Sequence, residues 1–194
     1  ANPASETSNP RFGIDAALQV PHKQKGASRC PKAGQICPDV VFRGARLSMK
    51  HPANQEFYAY WDRKRAGALA PERSDLEPEQ VRHLLGDIFV LSCDPATGYP
   101  FRVAGTRMCA LLGADLKGRS FISLFSGGDQ DDIADILGIV SEENQPTVAG
   151  LTAFTPDGGR FHLELLLLPF SARSHSPVSM TGLLAPLTAL DGVH

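Results

Sequence analysis

Residues 113–120 have residue types and a spacing that could bind a phosphate group. Gly113, Gly118 and Ser120 match the phosphate-binding loop of nucleotide-binding enzymes, but Arg119 stands where that loop requires a lysine. Such a loop must follow a strand and open a helix, so that backbone N–H groups cradle the phosphates. Here a predicted helix precedes it. Turn geometry explains the glycines better, and a small nucleotide-binding enzyme that uses this loop is the alternative function.

Two further patterns were tested as catalytic signatures. Gly127-Gly128-Asp129 is similar to the signature of diguanylate cyclases, but Gln130 and Asp131 lead into a predicted helix, so a loop and a helix cap explain it better. The chain has no G-x-S-x-G elbow and no H-E-x-x-H pair, and its six histidines are scattered without the spacing of a base and its orienting partner. We therefore expect no catalytic residue and no enzyme.

Four cysteines are the remaining candidates for chemistry. A zinc site on Cys30 and Cys37 would need two more ligands, such as His22 and His51, at irregular spacings. We expect free thiols there and no metal site, because real metal motifs have specific spacings. The other two cysteines lie in apolar stretches, where cysteine commonly packs as a small hydrophobic residue.

The composition is that of one globular domain. Apolar residues make up 42% and charged residues 21% of 194 residues, enough to bury a core. Nineteen basic against twenty-one acidic residues leave a net charge of −2, which does not favour binding to a polyanion. Few cysteines, no apolar run of membrane-spanning length and no signal-peptide core predict a cytoplasmic protein without a membrane span.

Residues 1–50 differ from the rest of the chain. They carry eight basic and three acidic residues, a balance of +5, together with five prolines and few large apolar side chains. We expect a basic, mostly mobile arm over residues 1–50, mobile up to about Asp39, with a β-prone run at residues 40–42 that could dock. Nucleic-acid binding is not expected, because the basic residues are scattered and not interleaved with aromatics. The domain is expected over residues 51–190.

Hydrophobic periodicity predicts the elements that must position these groups. An aromatic stripe at helical spacing predicts a helix from Asn54 to Gly67, and Pro78 starts a second short helix. Thr106 and Asp129 are predicted to cap two later helices. Strands are predicted at residues 87–93, 99–104, 147–155, 160–170 and 178–187. This order indicates an α+β fold: a five-stranded antiparallel sheet with helices inserted between strands 2 and 3, plus N-terminal helices.

The pattern of five strands around a helical insert resembles the PAS sensor fold. Several motifs from about His51 to Pro186 also resemble a family of small stand-alone PAS proteins from alphaproteobacteria. They are Tyr60-Trp61, Ala70-Pro71-Glu72-Arg73-Ser74-Asp75, Phe101-Arg102-Val103-Ala104-Gly105-Thr106-Arg107, Cys109, Leu112-Gly113 and Leu116-Lys117-Gly118-Arg119-Ser120-Phe121. This resemblance implies a PAS-like sensory or regulatory module that acts through protein contacts, usually without an attached output domain and often without an assigned ligand.

The resemblance also allows known PAS cofactors to be tested. The residue 130–140 segment lacks the histidine that haem-binding members place on their long helix, and the flavin motif Asn-Cys-Arg-Phe is absent, so the cofactor stays unknown. A small ligand in the usual PAS cavity is left open. The candidate pocket residues are Met108, Leu112, Phe121, Leu124, Ile136 and Val140. An apolar stripe at helical spacing is, however, most often core packing.

One strand carries apolar residues on both of its faces. Its odd positions over residues 161–167 are all apolar and form one face. The even positions of the other face change from polar to apolar, so Leu166 and Leu168 would be exposed to water unless another element packs on them. Phe57 and Trp61 on the first helix could cover them, from the same chain or from a second copy. Because PAS proteins commonly dimerise through this face, we expect a homodimer that buries these four residues, and a signalling protein is the other candidate partner.

Overall fold

The computed structural model describes residues 38–40, 49–125, 129–154, 160–172 and 178–189. They form one antiparallel sheet with strand order β1-β4-β5-β6-β2-β3. The strands are β1 (Pro38–Val40), β2 (Ile88–Ser92), β3 (Phe101–Ala104), β4 (Thr147–Phe154), β5 (Arg160–Pro169) and β6 (Ser179–Ala189). The α-helices are α1 (Pro52–Arg65), α2 (Thr106–Leu112) and α3 (Asp129–Glu142). Four 3₁₀ segments lie at Arg73–Asp75, Pro78–Leu84, Pro95–Thr97 and Ile122–Leu124.

The predicted fold class is confirmed. β2 to β6 are the five predicted strands, and the helices α2 and α3 lie between the second and third of them. β1 is an additional strand, although mobility was predicted up to Asp39. It pairs antiparallel with β4 at Ala149, Gly150 and Leu151. The other residues of the predicted arm before Met49, including Cys30 and Cys37, lie outside the described residues.

The sheet separates two hydrophobic clusters. On its inner face, Leu163, Leu165 and Leu167 of β5 join α2, α3 and the other strands in the main core. On its outer face, Leu166 and Leu168 join α1 and the Pro78–Leu84 segment in a second cluster. The period of two along an extended strand places successive side chains on opposite faces, so β5 is buried on both sides.

Two predicted helix features are corrected. The segment after Pro78 is a 3₁₀ helix, interrupted by non-helical backbone at Val81. Thr106 is the first residue of α2 rather than its cap, and the cap position is Gly105. The Gly86 carbonyl accepts the N–H groups of residues 107 and 108, which replaces a side-chain cap. Gly105 is required there, because a Cβ on it would lie 2.2 Å from that carbonyl oxygen.

Candidate functional site

The six predicted pocket residues meet on the inner face of the sheet. Met108 and Leu112 come from α2, Ile136 and Val140 from α3, and the other two from the segment between these helices. All six are buried in the main core together with Leu163 and Leu165. The structure therefore brings the predicted set together as core packing, with β5 as one wall; whether the core admits a ligand stays a prediction.

An aromatic cluster that the pocket prediction missed, apart from Phe121, lies in the same core. The ring of Phe121 contacts Phe89, Phe101 and Phe125, each at a centroid distance of 5.5 Å, and the rings of Phe89 and Phe101 meet at 5.8 Å. Such ring contacts stabilise a core beyond the area that they bury. Phe89 and Phe101 lie on neighbouring strands but are not directly opposed, since Phe89 pairs with Ala104 and Phe101 with Leu91.

Burial raises the pKa of two titratable groups next to the core. Tyr99 is almost fully buried and has a left-handed backbone, with φ of +54°. Desolvation raises the pKa of its phenol, although a hydrogen bond to Ser141 of α3 acts against that rise. Burial also raises the pKa of the Cys93 thiol to about 11. A thiol with so high a pKa is a poor nucleophile at neutral pH, which agrees with the expectation that Cys93 is structural.

Residues 113–120 form turns after α2. Five of their backbone N–H groups bond inside the protein: Gly113 to Ala110 O, Ala114 to Cys109 O, Lys117 to Asp115 Oδ1, Gly118 to Phe101 O and Arg119 to Leu116 O. Gly113 ends α2 in the left-handed conformation, and Gly118, with φ of +78°, forms a turn that pairs with β3. These five donors are already used inside the protein, and the segment follows a helix instead of a strand, so it differs from a phosphate-binding loop.

A buried carboxylate connects the sheet to the start of α1. Glu164 is 2% exposed on the outer face of β5. Its Oε1 accepts the Lys50 N–H at 2.6 Å, and its Oε2 accepts the His51 N–H and the Asn54 side-chain amide, both at 2.9 Å. His51 in turn caps α1, because its Nδ1 accepts the Ala53 N–H. In the sequence, Glu164 is distinguished only as a polar position on β5, and a lone acid within a leucine run is the signal for its role.

The C-terminal half of α1 is fixed by further polar contacts. The Trp61 indole N–H donates to the Pro169 carbonyl at the end of β5 at 3.0 Å. The Tyr60 hydroxyl accepts the Glu77 N–H at 2.6 Å and donates to the Glu77 carbonyl at 3.2 Å. Ser171 bonds to the carbonyls of Ala70 and Pro71, which attaches the loop after α1 to the end of the same strand. α1 is thus bonded to β5 at both of its ends.

The four interface candidates are covered within a single chain. Phe57, Trp61, Leu166 and Leu168 belong to one outer-face cluster, and none of them is more than 1% exposed. Of the two covers that the sequence left open, α1 of the same chain fills this face. The homodimer stays a prediction.

No metal or membrane feature occurs in the described part of the chain. Within residues 38–40, 49–125, 129–154, 160–172 and 178–189, no three His, Cys, Asp or Glu side chains are grouped as metal ligands. None of the helices described there has the length and apolar composition that crossing a membrane requires. Asp129 is the first residue of α3, whereas Gly127 and Gly128 lie outside the described residues.

An antiparallel sheet with an enclosed apolar core on one face and an N-terminal helix on the other defines an α+β domain. The family model for the PAS domain matches residues 49–185, and this chain belongs to that family. The match covers the domain from just before α1 into β6.

Solved structures with a similar fold are distant in sequence. The RsLOV d2 variant is 19% identical with a TM-score of 0.43, over 56% of this chain and 65% of that one, so the matched part is just under two thirds of its length. The PAS domain of an HTR-like protein from Haloarcula marismortui is 20% identical with a TM-score of 0.42, over 56% of this chain and 90% of that one. The PAS domain of the fruit-fly ELK potassium channel is 10% identical with a TM-score of 0.43, over 57% and 93%. A search of curated proteins gave no match.

Proposed function

We propose that this chain is a non-enzymatic sensory or regulatory module that acts through contact with another protein. The observation that carries the proposal is the double burial of β5. Leu163, Leu165 and Leu167 lie in the inner core. The alternate residues Leu166 and Leu168 pack against α1, and Glu164 accepts hydrogen bonds from the start of that helix. A change in the core that moves β5 must also move groups that fix α1, because a close-packed interior transmits displacement.

The output surface in this proposal is the exposed face of α1 with the loop that follows it. Gln55, Glu56 and Arg63 of α1 and Arg73 of the loop are exposed, whereas Phe57 and Trp61 face the sheet. A partner that reads this face would detect a shift of α1 without entering the core. PAS domains are generally sensory and often mediate protein contacts, which supports this assignment. A small ligand in the core is the proposed signal.

Amide hydrogen exchange of α1 tests the coupling. Leu165→Val removes a methylene group from the inner face of β5, and Ile133→Val removes one from the same core on α3. We expect Leu165→Val to increase exchange over residues 52–65 severalfold, and Ile133→Val to leave α1 close to wild type, because only Leu165 lies on the strand that holds α1. Equal exchange of α1 in the two variants would remove the coupling from the proposal.

The ligand and the oligomeric state need a separate measurement. Native mass spectrometry of freshly purified protein, combined with an absorbance scan, detects a retained small molecule and the number of chains together. Retention of a molecule by wild type and its loss in Val140→Phe, which adds volume to the core, would support a sensing core. Retention of the same molecule by that variant would place it elsewhere.

A further inference from the structure

The Pro78–Leu84 segment is attached to α1 on the outer face of the sheet. Val81 and Leu84 are buried in the outer cluster together with the aromatic side chains of α1. The Tyr60 hydroxyl of α1 also bonds to the backbone N–H and carbonyl of Glu77, directly before the segment. Because buried apolar contacts and hydrogen bonds both join them, a displacement of this segment also displaces the groups that α1 packs on.

The end of the same segment is bonded to α2, on the other side of the molecule. Arg107, in the first turn of α2, donates through Nε to Asp87 Oδ1 at 2.8 Å and through Nη2 to Asp87 Oδ2 at 2.6 Å. The same Nη2 donates to the His83 carbonyl at 2.6 Å. The Gly86 carbonyl accepts the N–H groups of residues 107 and 108, at 2.8 Å and 3.1 Å. Arg107, Asp87, Gly86 and the His83 carbonyl together are called the Arg107 cluster below.

The ion pair in the Arg107 cluster has a better geometry than most ion pairs at a protein surface. Exposed pairs contribute little to stability unless they are bidentate, as this one is. The Asp87 side chain is 20% exposed and that of Arg107 57% exposed, so the carboxylate is the more shielded partner. Gly86 leaves room for the guanidinium, because a Cβ at that position would lie 2.8 Å from Arg107 Cζ.

α2 presents the Arg107 cluster and the inner core on different sides. Met108 and Leu112 are buried in the main core, whereas Arg107 is exposed. A change in core packing that shifts α2 must therefore shift Arg107, and with it the backbone at His83, because the interior is close-packed and α2 moves as one helix. This path passes the start of β2 and does not include β5.

We propose that Arg107 is a positioning residue, which transmits displacement of α2 in the core to α1 through the Pro78–Leu84 segment. This route is additional to the one through β5. It rests on the proposed function in one respect, namely that α1 is the output surface. Residues along such a coupled network typically change the coupling between two sites by a few-fold to about tenfold, which sets the size of the expected effect.

Amide hydrogen exchange of α1 in full-length variants tests this route. Met108→Val shortens a core side chain of α2 beside the Arg107 cluster. Arg107→Gln removes the charged fork that bonds Asp87, whereas Gly86→Ala keeps the arginine and places a methyl group where its guanidinium lies. The matched control is Arg102→Gln, which removes an exposed arginine of β3 outside the cluster.

We expect Met108→Val to raise the exchange of residues 57–65 about fivefold relative to β6, whose amides report global opening. The same substitution should change it by less than about twofold in the Arg107→Gln and Gly86→Ala chains, and should keep its full effect in the Arg102→Gln chain. The effect of Leu165→Val on α1, whatever its size, should be the same in all four chains, because the route through β5 does not use the Arg107 cluster.

Three results would overturn the proposal. They are an α1 that does not respond to Met108→Val in the wild-type chain, a full response that persists in the Arg107→Gln or Gly86→Ala chain, and a response that Arg102→Gln also abolishes. Circular dichroism melting checks that each chain is folded, and the two cluster variants act by different means, so either one alone decides the outcome. Failure of the proposed function is read from Leu165→Val against Ile133→Val, so the two failures are distinguishable.

Discussion

The side-chain amide of Asn54 donates to both the carboxylate and the backbone carbonyl of Glu164, at 2.9 Å and 3.2 Å. The two residues are 110 positions apart and both are buried. The Oδ1 atom of Asn54 is buried without a hydrogen-bond partner among the described residues. The contact between Asn54 and Glu164 thus fixes the first turn of α1 on β5, and it does so although one buried acceptor atom of Asn54 stays without a hydrogen bond.

Removal of the Glu164 carboxylate should loosen α1. Glu164→Leu removes the carboxylate acceptor of the part-buried N–H groups of Lys50 and His51, and it leaves the buried Asn54 amide with the Glu164 carbonyl alone. A buried donor left without a partner costs about 1–3 kcal/mol. We expect the free energy of unfolding to fall by roughly 3 kcal/mol, measured by urea denaturation. Glu164→Gln is the matched control, since it keeps one acceptor oxygen and should lose about half as much. Equal stability of the leucine variant and wild type would show that water replaces these bonds.

Trp61 should contribute both volume and one hydrogen bond. Trp61→Ala leaves a large cavity under α1 and should cost about 3–5 kcal/mol, because the ring is fully buried. Trp61→Phe keeps most of the ring but leaves the Pro169 carbonyl without its donor, so a loss of roughly 1–2 kcal/mol is expected. Denaturant melts of the two variants separate these contributions. A phenylalanine variant as unstable as the alanine variant would contradict the role given to packing.

Two glycines should respond to alanine in opposite directions. A Cβ on Gly182 of β6 would lie 2.4 Å from the Phe89 ring and 2.5 Å from the Leu166 carbonyl oxygen, so Gly182→Ala should destabilise the fold by about 1–3 kcal/mol. Gly138 of α3 has nothing within 4 Å of the same position, and Gly138→Ala should stabilise the helix by up to about 1 kcal/mol. Thermal melts of both variants test the packing of β6 on β2. A neutral Gly182→Ala would mean that the Phe89 ring moves away without cost.

The Cys93 thiol should react slowly. Its pKa is raised by burial from 9.0 to about 11, so at pH 8 the folded protein holds about a hundredfold less thiolate than an unstructured thiol. Iodoacetamide labelling of a variant that keeps only Cys93 should be about a hundredfold slower when folded than in denaturant, and the folded rate should continue to rise with pH up to about 11. A labelling rate already constant near pH 9 would contradict the burial of this thiol.

Local pattern was sufficient for the order of elements and for the class of fold. The five strands β2 to β6 and the helical insert were predicted from the spacing of apolar residues, which shows whether an element is buried on one face or on two. The alternation in β5 indicated two buried faces, which the structure confirms in two clusters. The pocket set was also found together, because residues at helical spacing share one face of a helix wherever that helix packs.

Pattern could not decide which surfaces meet, because that choice depends on contacts between residues far apart in sequence. Leu166 and Leu168 required a cover, but only the packed chain shows that α1 of the same chain provides it. In the sequence, Glu164 is only a polar position on a strand. Its hydrogen-bond partners, the N–H groups of Lys50 and His51, lie more than 100 residues earlier, where no local pattern connects them to it. Residues 113–120 have the spacing of a phosphate loop, yet five of their N–H groups bond within turns or to β3. The sequence by itself determined the faces of each element; the tertiary structure decided what each face binds, because the backbone and buried polar groups must all find partners at once.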